Sequence, residues 1–460
     1  MIEEKDPNEE NLKKEARAIS IREGSSYSFM DGFGLRFITP YALALGAGTT
    51  QIGVLSSVPG LLGNLSQIGT IKLMSRTTRR KIVFWSVLFQ AIMWLPLILI
   101  GFFFFFYGIS SVFAVSLLIV SYSILIIVGA VAGPAWNSWM KDIVPLRVGE
   151  FFGRRSRIVG IIALSSMLAA GLILHYFEKS QVFYAFAIMF FIAFVGRSLS
   201  AYFFTKQYEP KFFYKPESYF SFRQFVRKML YNNFGRFVLF VSLVSFSTAV
   251  ASPFFAVYML GDLKFSYLYF TIVTLSSALT TLIFMPLWGK FSDKYGNVRT
   301  MKVTVIFTVG IPLIWLFSYV LGIGGIKLLF YLALTECFSG FVWAGFNLSA
   351  GNFIYDAVTR ERVAICAAYF NIINAAGAFF GALLGGYLGS LSLGIFGLSS
   401  LLFVFLISGI FRFISAIGLI SSVREVRGVE KFDARKLKIN FGHLWHYLGF
   451  RNLRAVDGNN

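Results

Sequence analysis

The chain has 460 residues, of which 57% are hydrophobic and 14% charged, and its mean hydropathy is +0.70. Soluble globular chains are about 45–50% apolar and about 25% charged, so the composition excludes a water-soluble enzyme and a disordered chain alike. The net charge of +20 would point to nucleic acid only if the basic residues shared one surface, and instead they lie in loops between apolar runs.

Residues 1–23 are densely charged (Glu3, Glu4, Lys5, Asp6, Glu9, Glu10, Lys13, Lys14) and lack an apolar core. No cleavable signal peptide is read there, and the N-terminus is expected in the cytoplasm. Residues 24–205 are the first apolar block. At ~20 residues per crossing of the hydrocarbon it divides into six spans, at 24–46, 50–73, 82–106, 110–139, 158–177 and 181–204. Residues 206–233 are a basic, aromatic linker in which Phe222, Phe225, Val226 and Met229 recur at helical spacing beside Arg223, Arg227 and Lys228. That is the pattern of an amphipathic helix lying on the membrane, with a docking surface for a soluble partner as the alternative. Six further spans fill residues 234–421, at 234–260, 265–288, 303–321, 328–355, 363–388 and 395–421. Residues 422–460 form a basic tail in which Phe441, Leu444, Trp445, Leu448 and Arg451 repeat the amphipathic pattern less clearly.

Cytoplasmic flanks collect Lys and Arg, which tests the count of spans. With the loops alternating inside and outside, and Lys72 and Arg236 at the inner ends of their spans counted with the flanks, all but six of the 42 Lys and Arg fall inside. Lys179, Lys264 and Lys327 fall outside, and Arg36, Arg197 and Arg412 lie within spans. Both termini are therefore expected in the cytoplasm. The two blocks also repeat one another: Thr39-Pro40 matches Ser252-Pro253 at a spacing of 213 residues, Asp142 matches Asp356 at 214, and Arg197, Ser200 and Ala201 match Arg412, Ser415 and Ala416 at 215. Parallel repeats of this kind build many transporters that expose one site alternately to the two sides. The expected fold is an all-α integral membrane protein, with 12 transmembrane helices in two pseudo-symmetric six-helix bundles.

The loop after span eight carries Gly289, Asp293, Lys294, Gly296 and Arg299. It resembles the Gly-x-x-x-Asp-Arg/Lys-x-Gly-x-Arg/Lys pattern of the major facilitator superfamily, and with the six-plus-six arrangement the resemblance covers residues 24–421. Gly289 permits close helix approach, Gly296 a tight turn, and Asp293 can face the positive end of a helix. The resemblance implies that Asp293 caps a helix of the opposite half, the start of span five, and that Arg299 pairs with Asp356 at the end of span ten. In the first half the matching loop keeps the basic Arg76, Arg79 and Arg80 but has Met74 in place of the acid, so Arg80 is expected to pair with Asp142 without a capping carboxylate. Holding lipid phosphates is the alternative role for that basic cluster.

Ionisable groups inside a span are candidates for function because burying them is costly. Asp31, Arg36 and Glu336 lie on spans one and ten, which in the family line the central cavity. Glu336, with Asp31 second, is the candidate for carrying a coupling proton, and Arg36 for meeting an anionic substrate or Glu336. Trp343 and Asn347 fall on one helical stripe with Glu336, and span four adds Trp136 and Asn137. Interfacial anchoring is the alternative for Trp136 and the expectation for Trp139. Arg197 and Arg412 are expected to snorkel to the headgroups. Span eleven has Gly377, Gly381, Gly385 and Gly389 at every fourth position, a smooth packing face, preceded by Asn371 and Asn374 as polar candidates.

No cofactor or metal site is read. Cys337 and Cys366 sit in apolar runs, and His175, His443 and His446 are separated by the membrane. No nucleotide-binding loop of the Gly-x-x-x-x-Gly-Lys-Ser/Thr type is present. The expected function is secondary active transport of a small organic solute by alternating access, coupled to a proton or another ion, in the plasma membrane, by a monomer that binds no nucleic acid. Span five has only Gly160 and Gly171 and no proline, which differs from the proton-coupled drug exporters of the superfamily. Two other readings are a polytopic enzyme acting on lipid-linked substrates, which needs clustered carboxylates or a nucleophile with its base, and a non-transporting receptor on the same scaffold.

Overall fold

The computed structural model describes residues 7–144, 148–177, 181–210, 221–359, 362–391, 399–418 and 422–430. Among them the regular elements are helices, in the order expected. Span one comprises Pro7–Phe33, a 3-10 turn Leu35–Phe37, and Ile38–Ala44. Spans two to six are Thr49–Met74, Arg79–Tyr107, Ser111–Ile143, Val148–Phe177 and Val182–Lys206. After a short linker helix, Phe222–Lys228, spans seven to twelve are Asn233–Asp262, Tyr267–Tyr295, Asn297–Val320, Gly325–Ala357, Val363–Ser390 and Ser400–Gly418. Spans three to twelve, ten in all, are long and apolar enough to cross a membrane. The charged segment before residue 24 is not separate from span one, because the helix runs unbroken from Pro7. The candidate amphipathic residues from Phe441 to Arg451 lie outside the described residues.

Two spans bend for local reasons. Span one breaks at Gly34, where any side chain would overlap the ring of the fully buried Trp94. Span seven breaks around Pro253, which cannot donate to the helix, and its last turn, Tyr258–Asp262, winds as a π-helix. The span-seven break falls at Ser252-Pro253, whereas its repeat mate Thr39-Pro40 lies in the first turn of the helix that follows the span-one break. Within each half the second and fourth helices meet through threonine: Thr70 donates to the Val131 carbonyl at 3.0 Å and Thr281 to the Gly340 carbonyl at 3.1 Å. The glycine stripe of span eleven packs on span seven. A side chain at Gly377, Gly381 or Gly385 would overlap the backbone carbonyl of Ser242, Phe246 or Val250 in turn.

The two halves meet at the outer end of the molecule. A single apolar cluster there takes Phe37, Tyr41 and Phe186 from the first half and Phe254, Phe270 and Trp315 from the second. Gly53 of span two faces Gly386 of span eleven, with room for a Cβ only 3.0 Å from the Gly386 Cα. Phe37 meets Phe270 with ring centroids 6.2 Å apart, and Phe186 meets Tyr267 at 6.0 Å. At the basic, cytoplasmic end the apolar cores are separate, one around Trp139 and Phe204 and the other around Phe237 and Phe353. Among the described residues no ion pair joins the halves there. The molecule is closed outside and parted at the cytoplasmic end.

Candidate functional site

Two adjoining cavities of about 300 and 370 Å³ lie between the halves and share Arg36, Thr274 and Glu336. The first is framed by Thr39 and Pro40 of span one and by their repeat mates Ser252 and Pro253 of span seven. Its aromatic lining is Phe255, Phe270, Trp315 and Trp343, and its charged groups are Arg36, Glu336 and Arg412. The second adds Asp31, with Gly160 and Met167 of span five and Ser277 and Leu282 of span eight.

Of the candidate site residues, Asp31, Arg36, Glu336 and Trp343 meet at these cavities. Arg36 pairs with Asp31 at 3.3 Å and not with Glu336. Glu336 accepts from the Trp315 indole at 3.1 Å. Phe255 stacks on Trp315, with centroids 4.6 Å apart at 24°. Trp136, Asn137, Asn347, Asn371 and Asn374 line neither cavity. Trp136 carries the Arg155 guanidinium 4.9 Å above its ring, Asn137 and Asn347 are exposed toward the cytoplasmic end, and Asn374 accepts from Ser245 to tie span eleven to span seven.

The buried arginines do not snorkel. Arg197 is enclosed beside Glu23 at 3.7 Å, donates to Gln90 at 2.7 Å and to Ser200 at 3.1 Å, and lies 5.0 Å over the Tyr27 ring. Glu23 also pairs with Arg155 at 3.0 Å. Arg412, 2% exposed, donates to the Thr308 carbonyl at 3.0 Å and turns toward the cavity. Nor is Trp139 an interfacial anchor, for it is fully buried and donates to the Tyr208 carbonyl at 2.9 Å.

The cytoplasmic loops differ from expectation in their partners. Arg79 pairs with Asp142 at 2.5 Å, while Arg80, one residue on and therefore turned about 100° round the helix, is exposed. The ion pair of Asp356 is with Arg427 at 3.0 Å, and Asn297 donates to it at 2.6 Å. Asp293 lies 3.6 Å from Arg427, within its own half. Gly296 has a φ of +96°, the left-handed region that favours glycine, and any side chain there would strike Glu425. Gly289 leaves a Cβ only ordinary contact with Leu348, 3.6 Å away. Among the described residues no three His, Cys, Asp or Glu side chains are placed to hold a metal.

Residues 237–450 match the family model of the Major Facilitator Superfamily. The chain is 28% identical over 152 residues to the multi-drug resistance efflux pump PmrA of Streptococcus pneumoniae, a stretch that takes in 32% of this chain and 33% of the pump. The fold is similar to that of a mutant form of the nucleoside transporter NupG, with a TM-score of 0.66 at 14% identity over 90% of this chain and all of that one. A bacterial homologue of ferroportin is matched at a TM-score of 0.61 when inward-facing, at 12% identity over 89% of this chain and 99% of that one. When outward-facing it is matched at 0.55, at 13% identity over 90% and 99%.

Proposed function

We propose that the chain is a member of the major facilitator superfamily and carries out secondary active transport of a small organic solute by rocking the two halves about the paired cavities. The observation that carries this reading is the mid-membrane position of four charged groups, Asp31, Arg36, Glu336 and Arg412, around cavities that the outer contacts of spans two, eight and eleven close off. Charge kept at that depth is costly, and it is retained where a solute or ion is handled. A site at the interface of two repeats reaches either side by rocking, with no chemical step.

Glu336 is the coupling residue in this proposal. It holds a carboxyl in the wall shared by both cavities, with the Trp315 indole and the Ser277 hydroxyl as donors. Reconstituted in vesicles, wild-type protein accumulates its solute under an imposed pH gradient. Glu336→Gln still exchanges solute down its own gradient but does not concentrate it. Wild-type accumulation in that variant removes Glu336 from the role, and absence of any solute flux in wild type across a broad panel removes transport. Residence in the plasma membrane and action as a monomer belong to the same proposal. Export is the second reading, favoured by the match to the efflux pump, and vesicles loaded on either face separate it from uptake.

A further inference from the structure

Arg412 and Arg197 stand at one repeat spacing, yet only Arg197 has a carboxylate at ion-pair distance; the acid that faces Arg412 is Glu336, farther off in the same cavity wall, and in the transport reading it loses its charge when it takes up the coupling proton. Glu23 supplies a carboxylate beside Arg197. The same repeat carries Glu23 onto Arg236, 213 residues on, so the second half has no acid in that place. Arg412 makes no ion pair among the described residues, its Nε has no hydrogen-bond partner among them, and it donates to the Thr308 carbonyl. Next to it on the cavity wall the Thr248 hydroxyl is likewise buried without a partner. A guanidinium so enclosed is destabilising unless an anion joins it, and unmatched buried donors are retained where a ligand completes them.

We infer that Arg412 and Thr248 form the anion-binding end of the solute site, and that the solute is a small monocarboxylate with a flat apolar body. The inference rests on the transport reading and deepens it. A carboxylate takes two parallel N–H donors from a guanidinium, a geometry that a lysine or an amide cannot reproduce. The rest of the cavity suits the body: Phe255 and Trp315 are stacked in its lining, Trp343 adds a third aromatic, and Thr39 and Ser252 add hydroxyls. A volume of about 300 Å³ lies at the small end of ligand pockets, which fits a single ring. With Glu336 protonated, one carboxylate matches the one guanidinium, whereas a dianionic phosphate leaves a charge unmatched.

The test uses the full-length chain purified in detergent, with benzoate, benzamide, benzylammonium and phenyl phosphate as probes of one shape and differing charge. Benzoate should bind saturably and raise the melting temperature, with at least tenfold tighter affinity than the other three. Arg412→Gln should weaken benzoate at least tenfold, Arg412→Lys should recover part of it, and Thr248→Val should weaken it three- to tenfold. Thr248→Val keeps every charge and decides the matter with the probe series if Arg412→Gln does not fold. Benzamide or phenyl phosphate binding as well as benzoate, or benzoate binding undiminished in both the Arg412→Gln and Thr248→Val proteins, overturns the assignment. If benzoate binds as expected but no probe crosses reconstituted vesicles, the transport reading falls and the carboxylate site stands. If vesicles move a neutral solute while benzoate does not bind, the reverse holds.

Discussion

Arg427, in the segment that follows span twelve, holds Asp356 at the cytoplasmic end of span ten, with Nε 3.0 Å from the carboxylate. In the first half Arg79 holds Asp142, 214 residues earlier than Asp356. The acids are repeat mates, but the cations come from different places, the start of span three in one half and beyond span twelve in the other. Each half also sends a glutamate from after its sixth span to the start of its third. Glu209 accepts from the Arg79 amide at 2.8 Å and Glu425 from the Val298 amide at 2.8 Å. A carboxylate there faces the positive end of a helix. The cytoplasmic end of each half is thus clasped by its own trailing segment.

The clasp competes with closure. Arg427 lies 3.6 Å from Asp293, the residue expected to cap span five of the opposite half when the cytoplasmic side shuts. Arg427→Gln should free Asp293 and move the population toward the outward-open form, whereas Asp293→Asn should move it the other way. An ion pair this exposed contributes on the order of 0.5–1 kcal/mol, about a two- to fivefold change in a two-state equilibrium. Spin-label distances between the cytoplasmic ends of spans five and eight measure it. Identical distributions in both variants would show that neither residue sets the balance.

On the outer side spans two and eleven approach closely at their glycines. Thr49 packs against Gly389, and Gly53 against Gly386. A Thr49→Cys and Gly389→Cys pair, made with Cys337 and Cys366 replaced, should form a disulfide that stops solute flux until it is reduced. Gly53→Val should wedge the same seam, because its Cβ alone would lie 2.7 Å from the Ala382 carbonyl, and the outer ends of spans two and eleven should become reactive to impermeant thiol reagents. Free flux in the oxidised pair would mean that these spans do not part during the cycle.

The span order was legible in the sequence because apolar run length responds directly to the thickness of the hydrocarbon. Span ends were not, since helices continue past the lipid into charged turns: span three begins at Arg79 and not at 82, and span four ends at Ile143 and not at 139. The pairing of Asp31 with Arg36 was hidden for a geometric reason. Residues five apart on a straight helix point about 140° away from each other, and only the break at Gly34 brings them together. Arg412 was visible as the repeat mate of Arg197, but its lack of an acid partner needed Glu23 to be placed first. Arg427 lies outside every apolar run, where periodicity carries no information about contacts.

The network around Glu23 predicts where the first half is fragile. Its carboxylate is 5% exposed and serves Arg155 at 3.0 Å, Arg197 at 3.7 Å and Ser200 at 2.9 Å, joining spans one, five and six. Glu23→Gln strands two guanidinium groups, one of them fully enclosed, and breaking a buried pair in this way costs about 3–5 kcal/mol. The melting temperature should fall clearly in Glu23→Gln and less in Arg155→Gln, whose side chain is 15% exposed. Equal melting temperatures for wild type and Glu23→Gln would show that the network contributes nothing to stability.

The pair of Asp31 and Arg36 should behave differently, because both side chains face the cavity, at 22% and 44% exposure. An ion pair so wetted contributes on the order of 0.5–1 kcal/mol, so either single neutral variant should lower the melting temperature only slightly. Its larger effect should be on solute handling. With Asp31→Asn the guanidinium of Arg36 loses its carboxylate and becomes a second anion site beside Arg412, and benzoate affinity should rise or its stoichiometry should exceed one. With Arg36→Gln the stray charge is the Asp31 carboxylate, and benzoate affinity should fall. The double variant should return close to wild type, a coupling that a double-mutant cycle on benzoate affinity reads directly. Additive effects of the two substitutions would mean that the pair does not act as a unit at the cavity wall.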